Sequence, residues 1–223
     1  MIEINDIDQY TLKSSKETDD DYRDTIFYFQ PDWQNKKVVD LACGNGWLGK
    51  MALKQGAEFV RFADARPASF QDPGQTNHSF EFIDLGNCEM LNAILKDIDV
   101  ILYTGHFYHA TNHEEILDTF QNSKCSELFF ESKIFYVNEG YHEQSADILW
   151  VKEATNDAYN SWRGTEQNML VGQPNFKWLK ENLSKRFDIK NIAVFKKKYY
   201  NEFFDITTYF HKVNFHCVKK SVN

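Results

Sequence analysis

The sequence is most informative at first through what it lacks. Its 4 cysteines (Cys43, Cys88, Cys125 and Cys217) lie far apart with no CxxC pair, which excludes a clustered zinc site and a small disulfide-stapled scaffold. With only 4 prolines and 10 glycines in 223 residues, it is neither a Pro-rich linker nor a collagen-like repeat. No apolar run approaches the ~20 residues that a membrane helix needs. The stretch from Met1 to Asp8 lacks the basic-then-apolar order of a signal peptide. A reduced, cytoplasmic protein with no membrane association is the expectation.

What is present is bulky and acidic. Hydrophobic residues reach 42% and aromatics 16%, with 19 Phe and 11 Tyr, so the chain can fill a substantial core and is not disordered. Its length suits one domain over residues 1–223. The formal charge of -8 argues against an obligate nucleic-acid coat. That charge is unevenly spread: residues 176–223 carry a balance of +7 and the remainder -15. A basic C-terminal face is compatible with a phosphate-bearing substrate and equally with Lys-rich edge strands.

Residues 1–16 lack periodicity and read as an arm, followed by a helix over Glu17–Phe29 that Pro31 ends. Strands and helices then alternate. The strands expected are Lys37–Leu41, Glu58–Ala63, Phe80–Ile83, Asp99–Tyr103 and Glu127–Glu131. The helices expected are Trp47–Gln55, Met90–Lys96 and Glu114–Gln121. Repeated strand–helix units force a parallel sheet with helices on both faces. Residues 144–175 break the pattern and read as a substrate-site insertion. A helix over Phe176–Lys185 then leads to two β-rich segments, Phe187–Lys196 and Phe204–Lys219, joined by a turn at Tyr199–Glu202. The fold class expected is therefore α/β: a Rossmann-like three-layer sandwich whose seven-stranded, mostly parallel sheet ends in a C-terminal antiparallel hairpin.

The segment with chemical content is Asp40-Leu41-Ala42-Cys43-Gly44-Asn45-Gly46-Trp47-Leu48-Gly49. A hydrophobic strand enters a Gly-rich turn and then a helix, the junction where open parallel sheets bind ligands. Glycines there let a ligand approach the backbone and leave helix N-terminal N–H groups available. Gly44, Gly46 and Gly49 satisfy the GxGxxG spacing of a dinucleotide site, which keeps an NAD-linked oxidoreductase as an alternative. Asp40 favours another ligand. A carboxylate at the strand tip sits poorly beside a pyrophosphate but pairs well with an ammonium group, such as the one on the methionine end of S-adenosylmethionine. Asp64, ending the next strand, can accept the ribose hydroxyls of an adenosine ligand. Asp84, after the third strand, can meet an adenine edge.

These residues resemble the first motif of the class I S-adenosylmethionine-dependent methyltransferases, D-x-G-x-G-x-G, with Ala42 in place of the first glycine. The resemblance extends over roughly residues 30–195. Gly56-Ala57-Glu58-Phe59-Val60 and Asp64-Ala65-Arg66-Pro67 are similar to the second motif. Val100-Ile101-Leu102-Tyr103-Thr104-Gly105-His106-Phe107-Tyr108-His109 is similar to the fourth-strand motif of the branch whose loop ends in Tyr-His. Within that branch, Asn168-Met169-Leu170 with Pro174 and Leu179 resembles the tRNA wobble-uridine (5-oxyacetate pathway) transferases and their small-molecule-modifying relatives.

The resemblance implies S-adenosylmethionine as cofactor, with Asp40, Ala42, Gly44, Asn45, Gly46, Asp64, Ala65, Asp84, Leu85 and Tyr103 around it. Methyl transfer is an in-line displacement that needs positioning, and a base only where the nucleophile must lose a proton. His109, beside Tyr108, is the base expected among His106, His109 and His113, and no metal is required. Gly105 and Thr111-Asn112 make that segment a loop, which argues against convergent metal ligation. The acidic body favours a small-molecule acceptor over RNA. An RNA modifier and a non-catalytic cofactor-binding module remain the alternatives.

Overall fold

The computed structural model describes residues 22–134, 147–152, 170–201 and 206–220. Their central feature is a seven-stranded sheet in the order β3-β2-β1-β4-β5-β9-β8. The first five strands are β1 (Lys37–Leu41), β2 (Phe59–Asp64), β3 (His78–Phe82), β4 (Val100–Tyr103) and β5 (Glu127–Ile134). All of these pair in parallel, whereas β9 (Ile206–Lys219) runs antiparallel between β5 and β8 (Phe187–Asn201). The mostly parallel sheet and its C-terminal hairpin match the expected architecture.

Alternate residues along the strands feed two cores. Val39, Leu41, Ile101, Tyr103, Leu128 and Phe130 enter one, against α2 (Cys88–Ile94), α3 (His113–Asn122) and α4 (Phe176–Arg186). Val38, Val60, Phe62, Val100, Leu102 and Phe129 enter the other, against α1 (Trp47–Lys54) together with Ile26 and Trp33. Strands apolar on both faces are what a sheet covered on both sides requires. Side-chain oxygens start two of the helices: Asn87 accepts from the N–H groups of Glu89 and Met90, and Asn175 accepts from that of Trp178. Arg186 of α4 reaches Asp118 of α3 at 2.7 Å.

Several boundaries depart from expectation. Residues 22–29 form a 3₁₀ helix instead of the end of an α-helix, and residues 1–21 lie outside the described part. Strand β3 begins two residues early, at His78. Residues 144–175 are described only in part, yet they contain two strands that no pattern announced: β6 (Ile148–Lys152) and β7 (Leu170–Pro174) pair antiparallel as a separate two-stranded sheet. The expected turn at Tyr199–Asn201 is instead the end of β8, and Glu202 lies outside the described residues. Among the described residues no helix is long and apolar enough to cross a membrane.

The strand order reverses direction between β1 and β4. The loops that leave their carboxyl ends diverge to opposite faces, and a crevice opens between them.

Candidate functional site

Strand β1 delivers Asp40 to the rim of this crevice with 1% of its surface exposed. Its Oδ2 accepts the N–H of Gly49 at 2.9 Å. Gly46, at the N-cap of α1, offers no side chain, so Asp40 supplies the capping oxygen from outside the helix. Gly49 is also where α1 meets the sheet, because a Cβ there would lie 2.2 Å from Phe62 Cε1. The third glycine of the GxGxxG spacing thus serves close helix–strand packing.

The turn between β1 and α1 has left-handed backbone at Ala42 (φ 57), Gly44 (φ 54) and Gly46 (φ 77). Glycine adopts that region freely, whereas Ala42 carries a cost of ~1–2 kcal/mol there. A Cβ built on Gly44 meets nothing within 4 Å, so this side of the turn faces open space. Asp64, ending β2 and 2% exposed, stitches the turn to the neighbouring strand. Its Oδ2 accepts the Gly44 N–H at 2.8 Å, and its Oδ1 accepts the N–H of Arg66 at 2.8 Å and the Arg66 Nε–H at 3.2 Å.

A cavity of about 250 Å³ collects these parts. Eight of the expected residues line it: Asp40, Ala42, Gly44, Asp64, Ala65, Leu85, Tyr108 and His109. Four expected residues do not, and each has another contact. Asn45 Oδ1 accepts the Trp47 N–H at 3.2 Å, and Gly46 lies against Phe70 and Phe62. Asp84 Oδ1 accepts the Gly86 N–H at 2.9 Å in the turn after β3. Tyr103 is buried in the core, its hydroxyl 2.7 Å from His106 Nδ1.

Sequence reasoning left out Cys43, Leu48, Arg66, Thr104, Gly105 and His106, which also line the cavity. All six stand inside the motif segments, and His106 among the three candidate histidines, so a signal existed for each. Burial first, then the charges of Asp40 and Asp64, push the Cys43 thiol far above its ordinary range. That environment disfavours a thiolate, so Cys43 is a packed wall and not a nucleophile. His113 is directed elsewhere: its Nε2 lies 2.8 Å from the Gly172 carbonyl. Burial holds its imidazole below the usual histidine value despite that bond.

The fold recurs in solved proteins. The N-terminal domain of EvdMO1, solved with S-adenosylhomocysteine bound, superposes with a TM-score of 0.61 at 14% identity, covering 90% of this chain and 82% of that one. The fold is that of the class I methyltransferases. The Burkholderia thailandensis 1,6-didemethyltoxoflavin-N1-methyltransferase, solved with 1,6-didemethyltoxoflavin and S-adenosylhomocysteine, gives a TM-score of 0.53 at 11% identity over 89% of this chain and 76% of that one. A candidate methyltransferase of Haloferax volcanii, in complex with the Trm112 methyltransferase activator, gives 0.59 at 13% identity over 89% and 88%. No protein-family model and no curated protein sequence matches the chain.

Proposed function

We propose that this chain is an S-adenosylmethionine-dependent methyltransferase acting on a small molecule. One observation carries the reading: two buried carboxylates, Asp40 and Asp64, line one cavity at the switch point of the sheet, on either side of a glycine whose outer face is open. A ligand with a cationic head and a sugar diol answers both acids at once. Asp40 holds the ammonium group, Asp64 accepts from the ribose hydroxyls, and Leu85 with Ala65 packs beside the base. Ala42 and Gly44 keep the backbone clear of side chains on the approach. When bound, the cofactor supplies an electrophilic methyl group on a positively charged sulfur.

The loop after β4 faces the acceptor side. His109 takes the proton that an acceptor hydroxyl gives up, and Tyr108 walls the acceptor chamber. The net charge of -8 disfavours a polyanionic acceptor. Two related folds were solved with small molecules besides the cofactor product, D-fucose in one case and 1,6-didemethyltoxoflavin in the other.

Calorimetric titration with S-adenosylhomocysteine tests the reading. Micromolar or tighter uptake by the intact chain, weakened at least about tenfold by Asp64→Ala, is expected. No heat of binding from the intact protein would overturn it.

A further inference from the structure

Strand β2 runs out into Asp64-Ala65-Arg66-Pro67, and the first three of these residues line the cavity. Pro67 disfavours helical backbone in the residue before it, and Arg66 accordingly lies outside the helical region, at φ -123 and ψ 75. The Asp64 carboxylate fixes the same residue from two positions back, accepting its N–H at 2.8 Å. The root of the Arg66 side chain is therefore set. Its guanidinium returns over the acid, with Nε 3.2 Å from Oδ1.

That contact leaves most of the guanidinium unused. At 3.2 Å it is longer than the ~2.7–2.9 Å of a charge-assisted bond, and the Arg66 side chain is 40% exposed. An ion pair so exposed contributes little to stability. Asp64 is the sole acceptor that the Arg66 side chain meets among the described residues. Its Nε–H is engaged, and the donors on its two terminal nitrogens are not.

The acceptor places on Asp64, by contrast, are nearly full. A carboxylate has about four of them. The Gly44 N–H takes one on Oδ2, and the Arg66 N–H and Nε–H take both on Oδ1. One place is left, on Oδ2. A ribose presents two adjacent hydroxyls, so Asp64 receives one and the second needs another partner. A hydroxyl accepts as well as donates, and the unused N–H groups of Arg66 stand directly beside the acid. The neighbouring wall residues Ala65 and Leu85 have no polar side chain to offer instead. A phosphate on the same sugar would crowd its charge against Asp64, so the pair suits a free diol.

We propose that Arg66 and Asp64 divide the cofactor's ribose: one hydroxyl donates to the carboxylate, and the other accepts from the guanidinium. This assignment rests on the methyltransferase reading above and adds a second residue that recognises the sugar.

The test is calorimetry on the full chain with S-adenosylhomocysteine and its 2′-deoxy and 3′-deoxy analogues. Wild type is compared with Arg66→Met, which keeps an apolar stem and removes every side-chain donor. The variant should bind S-adenosylhomocysteine at least about fivefold more weakly, the loss of a hydrogen bond with one charged partner. Its melting temperature should change little, because the ion pair it removes is exposed. The cycle of two proteins and three ligands carries the decision. One deoxy analogue should bind wild type about fivefold more weakly than S-adenosylhomocysteine, yet bind Arg66→Met within about twofold of it. The other analogue should lose the same factor in both proteins. A guanidinium that merely orients Asp64 would blunt both hydroxyls alike, so matching changes for the two analogues would overturn the proposal. Unchanged or tighter binding of S-adenosylhomocysteine by Arg66→Met would overturn it too. Tighter uptake of NADP+ than of S-adenosylhomocysteine by wild type, or no uptake of the latter, would strike the methyltransferase reading and this assignment with it. Should Arg66→Met not fold, Arg66→Ala carries the same comparison.

Discussion

Asp40 and Gly49 are joined by a 2.9 Å hydrogen bond in which the carboxylate accepts from the first turn of α1. The same carboxylate lines the cavity, so under the proposed function one side chain serves both the fold and the ligand. Asn can replace the first role, since its amide oxygen still accepts, but not the second. In Asp40→Asn the melting temperature should change little. Affinity for S-adenosylhomocysteine should fall ~10–100-fold, the loss of a charge-assisted hydrogen bond worth ~1.5–3 kcal/mol. Calorimetry and thermal melts on the same samples separate the two, and retained affinity would reduce Asp40 to a helix cap.

The glycines of the turn should divide by function. Gly49→Ala drives a methyl group into Phe62 and Val60, which are core side chains, and should destabilise the protein by ~1–3 kcal/mol. Gly44→Ala meets no protein atom. It should cost ~1–2 kcal/mol of left-handed backbone strain yet reduce S-adenosylhomocysteine binding more than Gly49→Ala does in its folded fraction. Urea melts paired with calorimetry distinguish the two outcomes.

Ala42 offers the opposite case. Its φ of 57 is one that glycine adopts without penalty. Ala42→Gly should therefore raise stability by up to ~1 kcal/mol, part of the relief being offset by the greater freedom of glycine in the unfolded chain. Destabilisation on chemical denaturation would show that the alanine methyl group packs productively.

Acid should loosen the protein through His113. Burial lowers its folded-state pKa from the ordinary 6.5, so the unfolded chain takes up its proton first. Stability from this group is complete above about pH 6.5 and falls as the pH drops below that value, levelling once the folded form protonates too. His113→Gln can keep a donor to the Gly172 carbonyl without titrating. Denaturation midpoints measured between neutral and mildly acidic pH should decline more steeply for wild type than for this variant.

The sequence was legible where local pattern and global role coincide. Strands β1 and β4 stand within a residue of expectation because strands buried on both faces read as unbroken apolar runs. Strand β3, at the sheet edge, has no such signature, and its Phe82 is half exposed, so its start was misplaced. The β6–β7 sheet contains Gly172 and Pro174, residues that argue against a strand, and it joins segments far apart in sequence. Asp40 and Asp64 were readable as strand-tip acids, and both line the cavity. The Glu131–Lys212 pair was not, because two charges come together there only through the antiparallel register of β9 against β5. The bond between Tyr103 and His106 depends likewise on side-chain conformation, on which spacing is silent.

Gly172 is held twice. Its N–H donates to the Ala110 carbonyl at 3.1 Å while its own carbonyl meets the His113 ring at 2.8 Å. A methyl group there would strike that ring, 2.4 Å from its Cε1. The outlying pair of strands is thereby clasped both to the peptide just beyond His109 and to the first residue of α3. Under the proposed function, the small sheet therefore bears on the acceptor side through the peptide that follows His109.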